Sequence, residues 1–108
     1  MKDFSTSARF TPAVDIRSNE TEVAFSIDVP GVKENDLELT VEKGVLRVSG
    51  KRAGHGEFAL AYTLPDTVDD EKLAADLADG VLTIRVPKLP KAQPRKIQIG
   101  RADKQLAT

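Results

Sequence analysis

The 108-residue chain has no cysteine and no tryptophan, and only one methionine, one histidine and one tyrosine. Without thiols there is neither a disulfide framework nor a thiolate zinc site, so a reducing, cytoplasmic setting is the expectation. No apolar run approaches the ~18 residues that a membrane-crossing helix needs, and the first residues lack the basic start, apolar stretch and small-residue cleavage site of a secretory leader. No membrane partner is therefore expected. With only four phenylalanines to accompany the single tyrosine, aliphatic side chains must fill the core. The length fits one domain, which buries roughly two-thirds of the surface its unfolded chain exposes.

Catalytic signals are missing as well. His55, the lone imidazole, stands between Gly54 and Gly56 and reads as a turn residue, because a general base there has no identifiable partner. Asp66, Asp69, Asp70 and Glu71 lack the central glycine and distal glutamate of a calcium loop. Asp66-Thr67 opens like an aspartic-protease motif, but Val68 stands where that motif needs glycine. No phosphate-cradling glycine loop and no Gly-x-Ser-x-Gly elbow occurs. The expectation is a binding protein rather than an enzyme, with no catalytic residues, no cofactor and no metal.

Charge is nearly balanced in total, 16 basic against 17 acidic residues, but it is unevenly placed. Acidic side chains concentrate between Glu20 and Glu42 and again between Asp66 and Asp79, whereas Arg85 to Lys104 carries seven Lys/Arg against Asp103 alone. The basic end reads first as a solvated tail, with a polyanion site as the alternative. A net charge of -1 gives no long-range attraction for nucleic acid, and none is expected as a partner.

Period-two alternation then runs through most of the chain. Val23, Phe25, Ile27 and Val29 share one face of a strand, opposite Glu22, Ala24, Ser26 and Asp28, and "AVDIR" before them alternates likewise. Leu37, Leu39 and Val41 form the face of a further strand that turns at Lys43-Gly44, where glycine supplies the positive φ of a two-residue hairpin loop. Leu46 and Val48 return from it. Phe58, Leu60, Tyr62 and Leu64 make another strand face, and Leu82, Ile84 and Val86 the last. The stretch between, "DTVDDEKLAADLADG", has the composition of a helix, yet Leu73, Ala75 and Leu77 also fit period two and Asp79-Gly80 is a strong hairpin signal. The strand reading is preferred. Seven short strands separated by turn signals predict an all-β, immunoglobulin-like antiparallel sandwich. Residues 1–9 are expected as a short flexible arm, residues 10–88 as the sandwich and residues 89–108 as an extension, with Pro87, Pro90 and Pro94 stopping the sheet and stiffening the exit. Ile97 and Ile99 then alternate like a strand that has no later segment to pair with.

Taken together, "PAVDI", "DVPGV", "ENDLELTVEKGVLRVSGKR", "YTLPDTVD", "LAADLADGVLTIRVPK" and the terminal "IQI" resemble the small heat-shock proteins, built on the α-crystallin domain. The likeness runs from about Phe10 to Ile99. It implies a sandwich that binds unfolding client proteins without ATP and assembles into homo-oligomers. It also implies that Ile97 and Ile99 anchor the extension on a neighbouring subunit, in a groove whose candidate residues are Leu39, Val41, Leu73, Ala75 and Leu77, with residues 89–96 as the tether.

The chain departs from the family pattern in three places: the segment before Phe10 is short, Leu60 stands where relatives tend to have arginine, and only a few residues join Arg52 to Glu57 where bacterial and plant relatives carry a strand-exchanging loop. Residues 52–56 span at most about 17 Å. A domain of this size has a radius of gyration near ~13 Å, so no strand-exchanged dimer is expected. The expected function is that of an ATP-independent holdase for non-native proteins, and the alternative is an adaptor module that binds one folded chaperone partner.

Overall fold

A computed structural model describes residues 9–54 and 56–100. Residues 1–8 of the expected arm, His55 and the end of the expected extension, residues 101–108, lie outside the described residues, whereas Arg9, the last residue of that arm, is described.

The molecule is an antiparallel β-sandwich of seven strands: β1 (Val14–Ser18), β2 (Glu22–Asp28), β3 (Leu37–Glu42), β4 (Val45–Arg52), β5 (Gly56–Thr63), β6 (Ala74–Ala78) and β7 (Val81–Pro87). One sheet has the order β1-β2-β7-β6 and the other β3-β4-β5. Between Asp66 and Gly80 the chain forms turns and then strand β6 over Ala74–Ala78 rather than a helix, and Leu77 lies opposite Leu82 across the β6–β7 hairpin. Helical propensity in so short a window yields to pairing with a buried neighbour.

Period two accounts for the core. Ile27, Val29, Leu46, Val48, Ile84 and Val86 are fully buried, joined by Phe25, Val32, Phe58, Leu64, Val68 and Leu82. These are the inward positions of β2, β4, β5 and β7 and of the loops that continue them. The two tight turns are more demanding than glycine alone suggests. Lys43 and Asp79 adopt φ of 53° and 54°, each followed by a glycine at φ 78° or 77°. Both central residues of a type I′ loop need positive φ, because that twist matches the flanking strands. Pro87 closes β7 opposite Glu22 instead of ending it beforehand, which a proline at a strand end permits.

Gly50 is required for a different reason. A Cβ at this position stands 2.8 Å from Phe58 Cε1, 2.9 Å from Leu37 Cδ2 and 3.1 Å from the Asp36 carbonyl oxygen. No side chain fits where β4 passes between its two neighbours.

Two substitutions test this packing by equilibrium denaturant unfolding. Phe25→Ala removes a buried ring and is expected to cost about 3–5 kcal/mol. Gly50→Ala overpacks the sheet and is expected to cost about 1–3 kcal/mol. An unchanged midpoint in either variant contradicts the packing described.

Candidate functional site

The relative placement of the sheets follows from which inward residues meet. The rings of Phe25 on β2 and Tyr62 on β5 lie 5.3 Å apart, so β5 faces β2. Leu46 and Val48 on β4 and Ile84 and Val86 on β7 are all at 0% exposure, as expected when the central strands cover each other. That leaves β1 and β5 along one flank of the sandwich and β3 and β6 along the other.

The β1/β5 flank is crossed by the chain entering β1. The Phe10 amide donates to the Glu57 carbonyl at 3.0 Å, and three residues later the Ala13 carbonyl accepts from the Asp28 amide at 2.9 Å. Phe10 packs against Phe58 with ring centroids 5.4 Å apart and the ring planes tilted by 58°. The Arg52 guanidinium lies 4.3 Å above the Phe10 ring, a geometry in which the ring's negative face attracts the cation. Arg52 Nε is buried without a hydrogen-bond partner among the described residues, and the adjoining methylenes rest against Gly31. Neither Phe10 nor Arg52 was marked by the sequence, since the contact joins positions 42 residues apart. Arg9, counted with the arm in the sequence reading, makes a bridge to Glu57.

The β3/β6 flank carries no such crossing segment among the described residues. Leu39 and Val41 on β3 and Leu73 and Leu77 beside and within β6 are half-buried against the core, and Ala75 is exposed between the latter two. The five groove candidates thus come from the two edge strands of one flank. Four of them present part of an aliphatic side chain to the core and part to solvent, which is the environment that an added apolar segment would complete.

Ile97 and Ile99 are not brought to that flank within the chain. They are 80% and 93% exposed. The extension before them is nonetheless anchored. Leu89 donates its amide to the Thr67 carbonyl at 2.8 Å, the Gln93 side chain donates to the Lys88 carbonyl at 2.9 Å, and Pro90–Ala92 form a single 3₁₀ turn. Among the described residues, 94–100 show no such ties, so the tether is shorter than the sequence spacing suggested.

The connection between β4 and β5 is a tight reversal. The two strands stay in register out to the pair Arg52 and Gly56, with Gly54 at φ 75° in the turn. No residues remain between them for an additional strand.

Electrostatics divides the edges. On β1, Arg17 donates to Asp15 at 2.8 Å, and this hydrogen bond, with the carboxylate's charge behind it, raises the arginine's pKa. On the outer face of β6, Asp76 lies 3.7 Å from Arg85, which also approaches Glu22 at 3.6 Å. No ion pair engages Glu38 or Glu42 of β3 among the described residues. Their outward positions were not marked as functional by the sequence, where they appear only as part of the acidic run from Glu20 to Glu42.

Comparison with known proteins follows the same outline. Residues 15–100 match the model of the Hsp20/alpha crystallin family. Spore protein SP21 of Stigmatella aurantiaca is 38% identical, the match covering 83% of this chain and 62% of that protein. The 17.7 kDa class II heat shock protein of Arabidopsis thaliana is 35% identical, covering 80% and 65% respectively. The chain thus spans less than two-thirds of the length of these curated relatives. Among solved structures, a small heat-shock protein from Xylella fastidiosa superposes with a TM-score of 0.74 at 30% identity, covering 87% of this chain and all of that one. The hspA protein of Xanthomonas axonopodis gives 0.70 at 30% identity, over 77% and 98%. The sandwich, its strand order and the family match over most of its length lead to one conclusion: this chain belongs to the Hsp20/alpha crystallin family.

Proposed function

We propose that the protein is an ATP-independent chaperone that holds unfolding proteins in soluble form and assembles with copies of itself through residues 97–99. The observation that carries this reading is the unfilled β3/β6 flank, with Leu39, Val41, Leu73 and Leu77 half-buried, in a chain whose own Ile97 and Ile99 are almost wholly exposed. An aliphatic groove and a free aliphatic strand segment complement each other between molecules. Residues 1–9 serve as an arm, residues 10–88 as the sandwich and residues 89–108 as the docking extension. Non-native proteins in the cytoplasm are the clients, and exposed apolar segments of those clients compete for the same groove.

Magnitudes support a reversible assembly. Burial of two isoleucine side chains contributes roughly 3–6 kcal/mol gross, and ordering of the extension offsets a good part of it. One docked extension is weak. Several per particle make a lasting oligomer, because each additional contact forms at high effective concentration.

The tight β4–β5 reversal supports a monomer, or a dimer formed through another edge, rather than a strand-exchanged dimer, and the same feature favours a second reading. A compact sandwich with no exchanging arm also suits an adaptor that binds one folded chaperone partner. The two readings separate in a single assay. A holdase suppresses aggregation of a heat-denatured client at near-stoichiometric ratio without nucleotide, whereas an adaptor leaves aggregation unchanged and forms a defined complex with one folded protein.

For the assembly itself, Ile97→Ser combined with Ile99→Ser is expected to shift the mass measured by light scattering to smaller species at every concentration, with the circular dichroism of the sandwich retained. An unchanged mass distribution contradicts docking through this segment.

A further inference from the structure

The four edge strands are not equally defended against pairing with another copy. β1 carries Asp15 and Arg17, β3 carries Glu38 and Glu42, and β6 carries Asp76. On β5 the only charge is Glu57, and residues 58–65 contain none. Beyond Glu57 the outward Ala59, Ala61 and Thr63 are exposed, and the inward Leu60 and Tyr62 are only half-buried. Across the same flank, Ile16 of β1 is 50% exposed. An uncharged edge of this length is a template for a further strand.

Backbone geometry shows which groups that strand would meet. The Leu64 amide donates to the Gly44 carbonyl on the β4 side, whereas the Glu57 carbonyl accepts from Phe10 on the other side. Both polar groups of a strand residue point the same way, and the direction alternates along the strand. Ala59, Ala61 and Thr63 therefore aim their amides and carbonyls away from β4. No backbone hydrogen bond from outside the sheet reaches them among the described residues.

The natural symmetric partner is β5 of a second copy, running antiparallel about a two-fold axis. With the axis at Leu60, Ala59 lies beside Ala61 and Glu57 beside Thr63. With the axis at Ala61, Ala59 lies beside Thr63 and Glu57 beside Pro65. Neither register opposes like charges, so charge does not prevent the pairing. Both registers run the partner's chain alongside Glu57, and that place is taken. Arg9 forms a parallel bridge with Glu57, and the Phe10 amide donates to its carbonyl at 3.0 Å. We infer that residues 9–13 are a releasable guard on β5: closed, they keep this edge from pairing with β5 of a second copy, and open, they make it a dimerisation edge. The guard acts apart from the docking of residues 97–99.

The guard is held firmly at its ends and lightly in total. Pro12 is buried, Phe10 packs against Phe58 under the Arg52 guanidinium, and the Ala13 carbonyl accepts from the Asp28 amide. Those two backbone hydrogen bonds, at Phe10 and Ala13, are the ones that tie residues 9–13 to the sheets among the described residues. Closure also leaves the buried Arg52 Nε without a partner there, and a buried donor left unsatisfied carries a cost that hydration on opening removes. None of the six fully buried core residues belongs to the guard, so it opens without disturbing them.

The test uses the full chain with Ile97→Ser and Ile99→Ser, to which Arg9→Cys, Phe10→Ala and Glu57→Cys are added. Arg9 and Glu57 are bridge partners with exposed side chains, and the chain has no other cysteine. Oxidation at low protein concentration ties the guard to β5, and reduction frees it within the same polypeptide. Circular dichroism checks that the sandwich persists in both states. Reduced, the mass from light scattering is expected to rise toward twice its dilute value as concentration increases, while the amides of Ala59, Ala61 and Thr63 gain protection from exchange. Oxidised, neither change is expected. A second release variant, Phe10→Leu in place of Phe10→Ala, keeps an aliphatic side chain where the ring was, and the same contrast is expected of it. If mass and β5 exchange in the reduced protein do not respond to concentration, the guard is overturned. Association through β5 that is equal in the oxidised and reduced states overturns it as well. New protection along β1, β3 or β6 instead removes β5 as the released edge.

Discussion

Two short sheets packed face to face bury their aliphatic faces and leave four strands with one side unpaired. Everything beyond the core depends on how those edges are finished. The central pair of layers, β4 over β7 and β5 over β2, excludes water completely around Ile27, Leu46, Val48, Ile84 and Val86. That core is rigid because close-packed interiors resist repacking. The edges, by contrast, hold backbone donors and acceptors that either water or another strand can satisfy. One flank is partly closed by the chain's own entry, with Phe10 wedged between Phe58 and the Arg52 guanidinium. The other offers half-buried aliphatics with nothing laid across them among the described residues. The two flanks of the sandwich therefore differ in what they leave open.

The connections enforce the same asymmetry. A β4–β5 hairpin paired out to Arg52 and Gly56 holds all its residues within the subunit. The extension leaves β7 on the opposite terms: it is pinned at Leu89 and Gln93 and then released. A short segment after a firm anchor has little freedom to lose, which would lower the entropic cost of the proposed docking. Membership in the Hsp20/alpha crystallin family fits a molecule whose chemistry lies in surfaces rather than in a catalytic centre.

Strands and core faces were legible because alternation of apolar and polar residues is the direct imprint of a half-buried sheet. Phe25, Ile27, Leu82 and Ile84 were identified that way and are buried. Alternation reports the face of a residue but not the place of its strand within the sheet. Ile16 lies opposite Phe25 in the β1–β2 ladder, yet it is 50% exposed because β1 is an edge. The groove candidates were legible through family resemblance, and their shared flank emerged only with the strand order. The Phe10–Arg52–Phe58 cluster and the anchoring of Leu89 to Thr67 left no local signal, since each depends on contacts between distant parts of the chain. The acidic run of residues 34–42 was visible in the sequence, but which of its carboxylates flank a free edge was not.

The account turns on β3 being an acceptor for another molecule's strand. Amide hydrogen exchange measured residue by residue over a range of protein concentrations tests this most directly, because an added strand protects the edge amides that water otherwise reaches. The prediction is that protection within Leu37–Glu42 rises as the protein assembles, and that this rise is absent when Ile97 and Ile99 are replaced by serine. If assembly proceeds while exchange along β3 stays constant, or if the new protection appears along Gly56–Thr63 instead, the account is contradicted.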